Sequence, residues 1–311
     1  MPWHHADAQT LNQPPHMAAN HQNWGAESLW QDLEPLLPGL SIEVLARTDS
    51  TNTVLLERVR TEHRSAAERG GERGAEPGAE RGFFGRRAHD MQPCLLVAEH
   101  QTAGRGRMGR LWHAEAGASL TFSLALPLTL EDWSGLSLAV GCAMAEALEP
   151  APAQAPRLQL KWPNDLWLDG RKLGGILIET VSAGDQRIAV IGVGLNVRPQ
   201  QTGNESQFMS GYASLDELDA SLTAPEVLRR VARPLILAVT GFAQGGFAAW
   251  QHRYEARDLL RGRPISAGGV EGMGAGVSAQ GELLMDVHGQ RQVISAGEVS
   301  VRLQANEPPA C

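Results

Sequence analysis

The stretch GRGRMGR, residues 104–110, decides how this chain is interpreted, because of the segments that flank it. The apolar run CLLVAE (94–99) precedes it, and residues 119–126 follow it with large apolar and small side chains in strict alternation. Alternation with a period of two predicts a β-strand with one face in a core. The glycine- and arginine-rich loop therefore joins two strands. The small face of the second strand leaves room for something to lie against it, and it consists of Ser119, Thr121, Ser123 and Ala125.

The loop satisfies G-x-G-x-x-G, the dinucleotide-binding pattern, so a Rossmann oxidoreductase has to be considered. That pattern opens a helix whose N-terminus holds the pyrophosphate, whereas here a strand follows. A protein kinase also has a glycine-rich loop between strands, but no HRD or DFG element follows this one. Two interpretations stay open on this segment alone: a solvated basic turn, and a mobile loop whose arginines bind phosphate and carboxylate oxygens.

Length and charge exclude several classes of protein. The 311 residues are enough for about two domains, and the net charge of −8 argues against a protein that coats nucleic acid or an anionic membrane. The first residues lack the pattern of a secretory signal, and no apolar run approaches the roughly 18 residues that span a bilayer. Three separated cysteines favour free thiols in a reducing compartment. We therefore expect a cytoplasmic protein that binds neither membrane nor nucleic acid.

The distribution of lysine draws attention to one window of the chain. Lys161 and Lys172 are the only lysines among 27 basic residues. Nucleotide bias in a genome replaces dispensable lysine by arginine, so a lysine that remains marks a position where a planar guanidinium cannot replace a compact ammonium. Lys161 begins KWPNDL (161–166), in which Asp165 either offers a hard oxygen to Mg²⁺ or simply caps a β-turn.

The chain divides into three parts. Residues 1–40 form a polar tail with one short amphipathic helix, and residues 41–256 form an α/β body. Within the body, residues 60–87 are rich in Arg, Glu and Gly and predict a disordered insertion. Residues 257–306 alternate short strands with glycine turns and predict a small β-barrel. Further strands are expected at 158–162, 173–180 and 187–197. Helices are expected at 132–148 and at 225–254, with Gly245 and Gly246 as a possible break in the second.

Taken together, six segments resemble the biotin protein ligase family, the biotin–[acetyl-CoA-carboxylase] ligases, over residues 41–303. They are TDSTN (48–52), EHQTAGRGRMGRLW (99–112), KWPNDL (161–166), RKLGGILIE (171–179), IGVGLNV (191–197) and GEVSVR (297–302). The arginine loop distinguishes this family from the lipoate ligases, which share its fold. The insertion at 60–87 departs from the family pattern. The DNA-binding domain of repressor-type members is not recognisable, so we expect a monofunctional ligase.

The resemblance implies an α+β fold, with a central mixed β-sheet and helices as in class II aminoacyl-tRNA synthetases and biotin ligases, plus a C-terminal SH3-like β-barrel. It implies an enzyme that uses ATP and Mg²⁺ to activate biotin as biotinyl-5′-AMP. The biotinyl group then passes to a lysine of a biotin carboxyl carrier protein, such as the carrier subunit of acetyl-CoA carboxylase. A homodimer is compatible with the resemblance. The alternatives are a lipoate-type acyl ligase and a biotin-responsive DNA-binding regulator without enzymatic activity.

The resemblance also assigns roles to individual residues. The expected catalytic residues are Lys172, Arg107 and Asp165, with Asp165 also the expected Mg²⁺ ligand. The expected biotin-binding residues are Ser50, Thr51, Asn52, Gln101, Arg105, Gly106, Arg107 and Lys172. The expected ATP-binding residues are Arg105, Arg107, Arg110, Trp112, Asn164, Lys172 and Asn196.

Overall fold

A computed structural model describes residues 22–71, 92–150, 155–183, 186–200, 211–295 and 301–303. The helices are α1 (Ala26–Leu33), α2 (Thr51–Gly71), α3 (Leu136–Leu148), α4 (Ala224–Gly245) and α5 (Gln251–Glu255). The first nine strands are β1 (Ser41–Leu45), β2 (Cys94–Ala98), β3 (Gly104–Arg105), β4 (Leu111–Trp112), β5 (Ser119–Pro127), β6 (Leu158–Lys161), β7 (Asp165–Leu168), β8 (Arg171–Ala183) and β9 (Gln186–Asn196). The last five are β10 (Pro264–Ala267), β11 (Val270–Val277), β12 (Leu283–Val287), β13 (Gln290–Ile294) and β14 (Val301–Leu303).

A mixed sheet of seven strands, in the order β1-β2-β5-β9-β8-β7-β6, forms the centre of the body. Only the β1–β2 pair within it is parallel. The sheet is covered on both faces, because the large apolar side chains of β5, such as Phe122, pack with α3 and α4. On the opposite face, Ala125 packs with Leu55 and Val59 of α2. The small face of β5 therefore accommodates a helix, and the expected α+β architecture with a central mixed sheet is confirmed.

Helix α2 corrects part of the predicted disordered insertion. It runs from Thr51 to Gly71, so residues 60–71 are helical, and the prediction of disorder is wrong for them. Arg, Glu and Ala are strong helix formers, and extending a helix that has already started avoids the unfavourable nucleation step. Residues 72–87 of the predicted insertion lie outside the described residues.

The C-terminal strands form a separate antiparallel sheet in the order β13-β12-β11-β10-β14, which agrees with the small C-terminal β module expected from the sequence. Its strands bury alternate side chains, among them Ile265, Met285 and Val301. In the part of the chain that the structure describes, no helix is long and apolar enough to cross a membrane.

The segment that leads into this sheet contains a buried carboxyl group at Asp258. Its Oδ1 accepts a hydrogen bond from the Leu260 backbone N–H at 2.9 Å, and the Tyr254 hydroxyl lies 3.5 Å away. Its Oδ2 is buried and has no hydrogen-bond partner among the described residues. Burial raises the pKa of Asp258 from an ordinary value of 3.8 to about 6, because the charged form loses its hydration. The ionised carboxylate is therefore an unfavourable feature of the folded chain at neutral pH.

We expect Asp258→Asn to stabilise the protein at pH 7.5 more than at pH 4.5. The folded state binds the Asp258 proton more tightly than the unfolded state does. The protonated carboxyl therefore stabilises the unsubstituted protein below about pH 4, and this contribution is lost as the pH rises through about 6. The difference between the two pH values should be on the order of 2 kcal/mol. Urea unfolding of both proteins at both pH values measures it. An equal effect of the substitution at the two pH values would contradict the prediction.

Candidate active site

The start of helix α2 gathers a buried polar cluster. Ser50, Thr51 and Asn52 are each only 3% exposed. The first N–H groups of a helix have no partner within it, and here the Gln101 side chain supplies one. Its Oε1 accepts from the Thr51 backbone N–H at 2.7 Å and lies 3.1 Å from the Thr51 hydroxyl. The structure thus brings together four of the side chains predicted to bind biotin, Ser50, Thr51, Asn52 and Gln101.

Ser123 of β5 belongs to the same cluster, although it was not among the predicted site residues. Its Oγ lies 2.6 Å from Thr51 Oγ1 and 2.6 Å from Asn52 Oδ1. Asn52 comes so close to the sheet that a Cβ on Gly192 would stand 2.2 Å from its Oδ1. The alternation of small side chains along β5 was the sequence signal for Ser123, but it did not show what would lie against that face.

Glu179 connects the cluster to the arginine loop and was also missed. One of its carboxylate oxygens accepts from Asn52 Nδ2 at 2.9 Å, and the other accepts from Arg105 Nη2 at 2.8 Å. The Arg105 side chain is therefore directed back over the start of α2. The Gly106 N–H donates to the Arg110 carbonyl at 2.7 Å, which closes the tip of the loop. Arg110 itself is exposed.

The Lys172 ammonium and the Asp165 carboxylate form an ion pair at 2.8 Å, with side chains 25% and 19% exposed. Asp165 lies at the start of β7, and Lys172 lies on the neighbouring strand β8. Arg107 approaches the same place, since its Nη1 donates to Asn164 Oδ1 at 3.4 Å. Burial lowers the pKa of the Arg107 guanidinium, and the nearby Asp165 charge opposes this effect. The predicted catalytic residues are therefore neighbours, and their combined charge is positive.

Lys161, the second lysine of the chain, faces the same carboxylate. It pairs with Asp165 in the register of β6 and β7, so both lysines flank one aspartate. The Lys161 Nζ lies 4.8 Å from the centre of the Trp167 ring, a cation–π arrangement. Burial lowers the pKa of Lys161, and the charge of Asp165 acts in the opposite direction. Lysine scarcity had pointed to this window without assigning a role to Lys161.

Trp112 and Asn196 form the far side of the site. The indole of Trp112 lies against Gly194 of β9, where a Cβ would stand 2.5 Å from Trp112 Cε2. The Trp112 Nε1 is buried, with no hydrogen-bond partner among the described residues. Asn196 Nδ2 donates to the Ala213 carbonyl at 3.1 Å, and its Oδ1 accepts from Gln200 Nε2 at 3.2 Å. Gln200 was not foreseen, because no motif includes it.

Metal ligation by protein side chains alone is not supported at this site. Within the described ranges, no group of three or more His, Cys, Asp or Glu side chains could hold an ion. Asp165 is a single carboxylate, and its Oδ1 is occupied by Lys172.

Comparison with known proteins identifies the family. The pattern of the biotin/lipoate A/B protein ligase family matches residues 87–196. The bifunctional ligase/repressor BirA of Escherichia coli (strain K12) is 34% identical over 273 residues, which are 86% of this chain and 75% of that protein. The biotin–[acetyl-CoA-carboxylase] ligase of Mycobacterium tuberculosis is 33% identical over 88% of this chain and 91% of its own length.

The fold agrees with these relatives. The biotin protein ligase from Aquifex aeolicus, solved in complex with biotin and ATP, superposes with a TM-score of 0.62 at 26% identity. The match covers 86% of this chain and all of that one. The expected family is therefore confirmed: this chain belongs to the biotin protein ligase family.

Proposed function

We propose that this protein is an ATP-dependent ligase that forms biotinyl-5′-AMP and transfers the biotinyl group to a lysine of a biotin carboxyl carrier protein. The observation that carries the proposal is the arrangement of the site. A buried cluster of neutral amides and hydroxyls at the start of α2 lies next to an excess of positive charge from Arg105, Arg107 and Lys172. Biotin has the same two parts, a neutral polar ring and an acidic tail.

The chemistry explains why the cations are needed. A carboxylate does not acylate an amine in water, because the leaving group would be oxide. When a biotin carboxylate oxygen attacks the α-phosphorus of ATP, the bond to the β-phosphate breaks and pyrophosphate leaves. The mixed anhydride that results has AMP as a good leaving group. Two anions must meet in the first step, so a site that positions positive charge in advance stabilises the transition state.

Lys172 is suited to this step by its type and by its place. An ammonium is a compact charge that can serve a carboxylate oxygen and a phosphate oxygen in turn, without the fixed plane of a guanidinium. Asp165 holds the Lys172 Nζ at 2.8 Å. We propose that the Lys172 Nζ turns from Asp165 to the two reacting groups when both substrates are bound.

Arg107 and Arg105, with the Gly106 backbone, are proposed to close over the reacting groups. Each guanidinium already has an oxygen partner, Asn164 for Arg107 and Glu179 for Arg105. When an anionic ligand binds, its oxygens can take the place of these partners, so neither guanidinium is left without an oxygen partner. A loop that closes over the mixed anhydride would also protect it from water.

The biotin ring is assigned to Ser50, Thr51, Asn52 and Gln101. A neutral ureido group needs paired donors and acceptors, and these four side chains offer both in a region sheltered from water. Glu179 and Ser123 hold Asn52 by its amide nitrogen and its amide oxygen, respectively. We propose that these two residues fix the orientation of the ring-binding amide.

The nucleotide is assigned to the opposite side of the site. Trp112 offers an aromatic face and a buried N–H without a partner among the described residues. Asn196, Asn164 and the exposed Arg110 offer polar contacts to sugar and phosphates. These assignments are our proposal for this chain.

Magnesium fits the site only as an ion that arrives with the nucleotide. Mg²⁺ at nucleotide sites takes one or two carboxylates together with phosphate oxygens, and Asp165 supplies one such carboxylate. When bound, the ion would neutralise part of the triphosphate charge. Asp165 becomes available for this role, or for the ammonium of the incoming carrier lysine, once Lys172 turns to the substrates.

The name of the Mycobacterium tuberculosis relative indicates that it acts on acetyl-CoA carboxylase. We propose the biotin carboxyl carrier protein of such a carboxylase as the partner of this chain. We also propose a cytoplasmic location and activity without bound nucleic acid or membrane. A homodimer is compatible with these proposals.

Pyrophosphate release tests the proposal directly. The protein with ATP and Mg²⁺ should release pyrophosphate only when biotin is present, and addition of a carrier domain should yield a biotinylated carrier and AMP. Lipoic acid in place of biotin is the control for a lipoate-type ligase. Release with lipoate and not with biotin would contradict the proposal.

We expect Lys172→Ala to reduce biotin-dependent pyrophosphate release by at least about a hundredfold, as loss of one electrostatic contact to a transition state does. Arg291→Ala is the matched control, because it removes a cation from an exposed ion pair with Asp286 in the C-terminal sheet. Circular dichroism checks that both variants fold. A normal rate in Lys172→Ala would remove this lysine from the mechanism.

Arg107→Ala should weaken retention of the adenylate, because one cation that covers the reacting groups is lost. Biotin should then appear on a bystander protein such as serum albumin, detected by streptavidin blotting. Arg233→Ala, at an exposed position of α4, is the control. Undiminished retention of the adenylate by Arg107→Ala would be the contrary result.

Ser123→Ala should raise the KM for biotin several-fold and leave kcat within about twofold, because the hydroxyl contacts Thr51 and Asn52 rather than the reacting groups. Steady-state kinetics with biotin varied at saturating ATP measures both constants. A fall in kcat at unchanged KM would show that Ser123 acts on the chemical step instead.

A further inference from the structure

Trp162 connects the active-site turn to the C-terminal sheet. It is 1% exposed, and its Nε1 donates a hydrogen bond of 3.0 Å to the carbonyl of Gly281. Trp162 begins the short turn between β6 and β7, whereas Gly281 closes the turn between β11 and β12, with its N–H on the Ser278 carbonyl. The bond therefore joins the turn that contains Asn164 and leads into Asp165 to a turn of the C-terminal sheet.

The other residues of this turn are held by the catalytic body. The Pro163 carbonyl accepts from the Ser137 hydroxyl of α3 at 2.8 Å. Asn164 Nδ2 donates to the Ile176 carbonyl of β8 at 2.7 Å. Asp165 follows directly and binds Lys172. Each residue of the turn is thus held by a hydrogen bond to a different element, and the bond of Trp162 goes to the β11–β12 turn of the C-terminal sheet.

The acceptor carbonyl is fixed by tight packing. Gly281 has a φ of 79°, a left-handed conformation that favours glycine. A Cβ at this position would stand 2.7 Å from the Cα of Gly135, at the start of α3, and 3.2 Å from the ring of Phe247. The β11–β12 turn therefore has little freedom to shift, and the carbonyl that binds Trp162 cannot shift independently of the catalytic body.

We infer that Trp162 is a positioning residue through which the C-terminal sheet sets the place of Asn164 and Asp165. A buried indole N–H without an acceptor is costly, so the Trp162 side chain stays where the Gly281 carbonyl holds it. Asn164, two residues after Trp162, accepts the hydrogen bond from Arg107. Asp165, the next residue, carries the carboxylate that binds Lys172. This inference rests on the proposed function, since the kinetic constant it concerns is that of biotin activation.

Trp162→Phe tests the bond because it removes the N–H and keeps an aromatic ring. We expect kcat for biotin-dependent pyrophosphate release to fall about five- to tenfold, the effect of one hydrogen bond. The KM for biotin should change less than twofold, because the ring-binding cluster at α2 has contacts of its own, to Gln101 and Ser123.

Gln251→Leu is the matched control. Gln251 Nε2 donates to the Val277 carbonyl at 3.0 Å. This bond attaches the end of β11 to helix α5, and it involves none of residues 162–165. Gln251→Leu should keep the kcat of the unsubstituted protein, even if thermal unfolding shows that it lowers the stability as much as Trp162→Phe does. Equal kcat in Trp162→Phe and the unsubstituted protein, or an equal loss in both variants, would overturn the inference.

Gly281→Ala changes the residue whose carbonyl accepts the hydrogen bond from Trp162. It should lower kcat in the same way, and the double variant with Trp162→Phe should fall less than the product of the two single effects, because both changes break one contact. Strictly multiplicative losses would count against a shared cause. An unsubstituted protein that releases no pyrophosphate with biotin would contradict the proposed function instead, so the two failures are distinguishable.

Discussion

The ion pair between Lys172 and Asp165 constrains much of this site. A largely buried ammonium needs a counter-charge, and in the proposed mechanism it exchanges that counter-charge for an anionic substrate. The pair lies between two adjacent strands of the central sheet, where the partners are close but neither is completely enclosed. An arrangement of this kind holds a cation in place without enclosing it, as the proposed role of Lys172 requires. The arginines of the loop have comparable partners, Asn164 for Arg107 and Glu179 for Arg105, which substrate oxygens replace in the proposed mechanism.

Small residues make the neutral half of the site. Gly192 and Gly194 leave space on β9 for Asn52 and for the indole of Trp112, and Ser123 takes a position where a larger side chain would displace the start of α2. The cluster is buried and hydrogen-bonded within itself, so ordering it does not leave unpaired polar groups. The cluster lies next to the arginine loop because Glu179 contacts both Asn52 and Arg105.

Much of the fold was predictable because its sequence signals are local. The alternating strand Ser119–Pro127 and helix α3 appear close to the expected bounds. The strand Asp165–Leu168 was not foreseen, since four residues directly after a turn carry almost no periodic signal. The helical residues 60–71 were mistaken for disorder because their composition is highly polar, and composition alone does not reveal that a helix already begins at Thr51.

The sequence by itself determined the chemical types at the site: a glycine-rich loop with arginines, two scarce lysines, and a run of hydrogen-bonding residues at 48–52. Order and spacing were enough to relate them to one family. Only the tertiary structure decided which groups meet, because contacts such as Lys172 with Asp165, Glu179 with Arg105 and Trp162 with Gly281 depend on strand register and on the docking of two sheets. Residues 119 positions apart can share a hydrogen bond only after the chain has folded, and no local pattern encodes that partner.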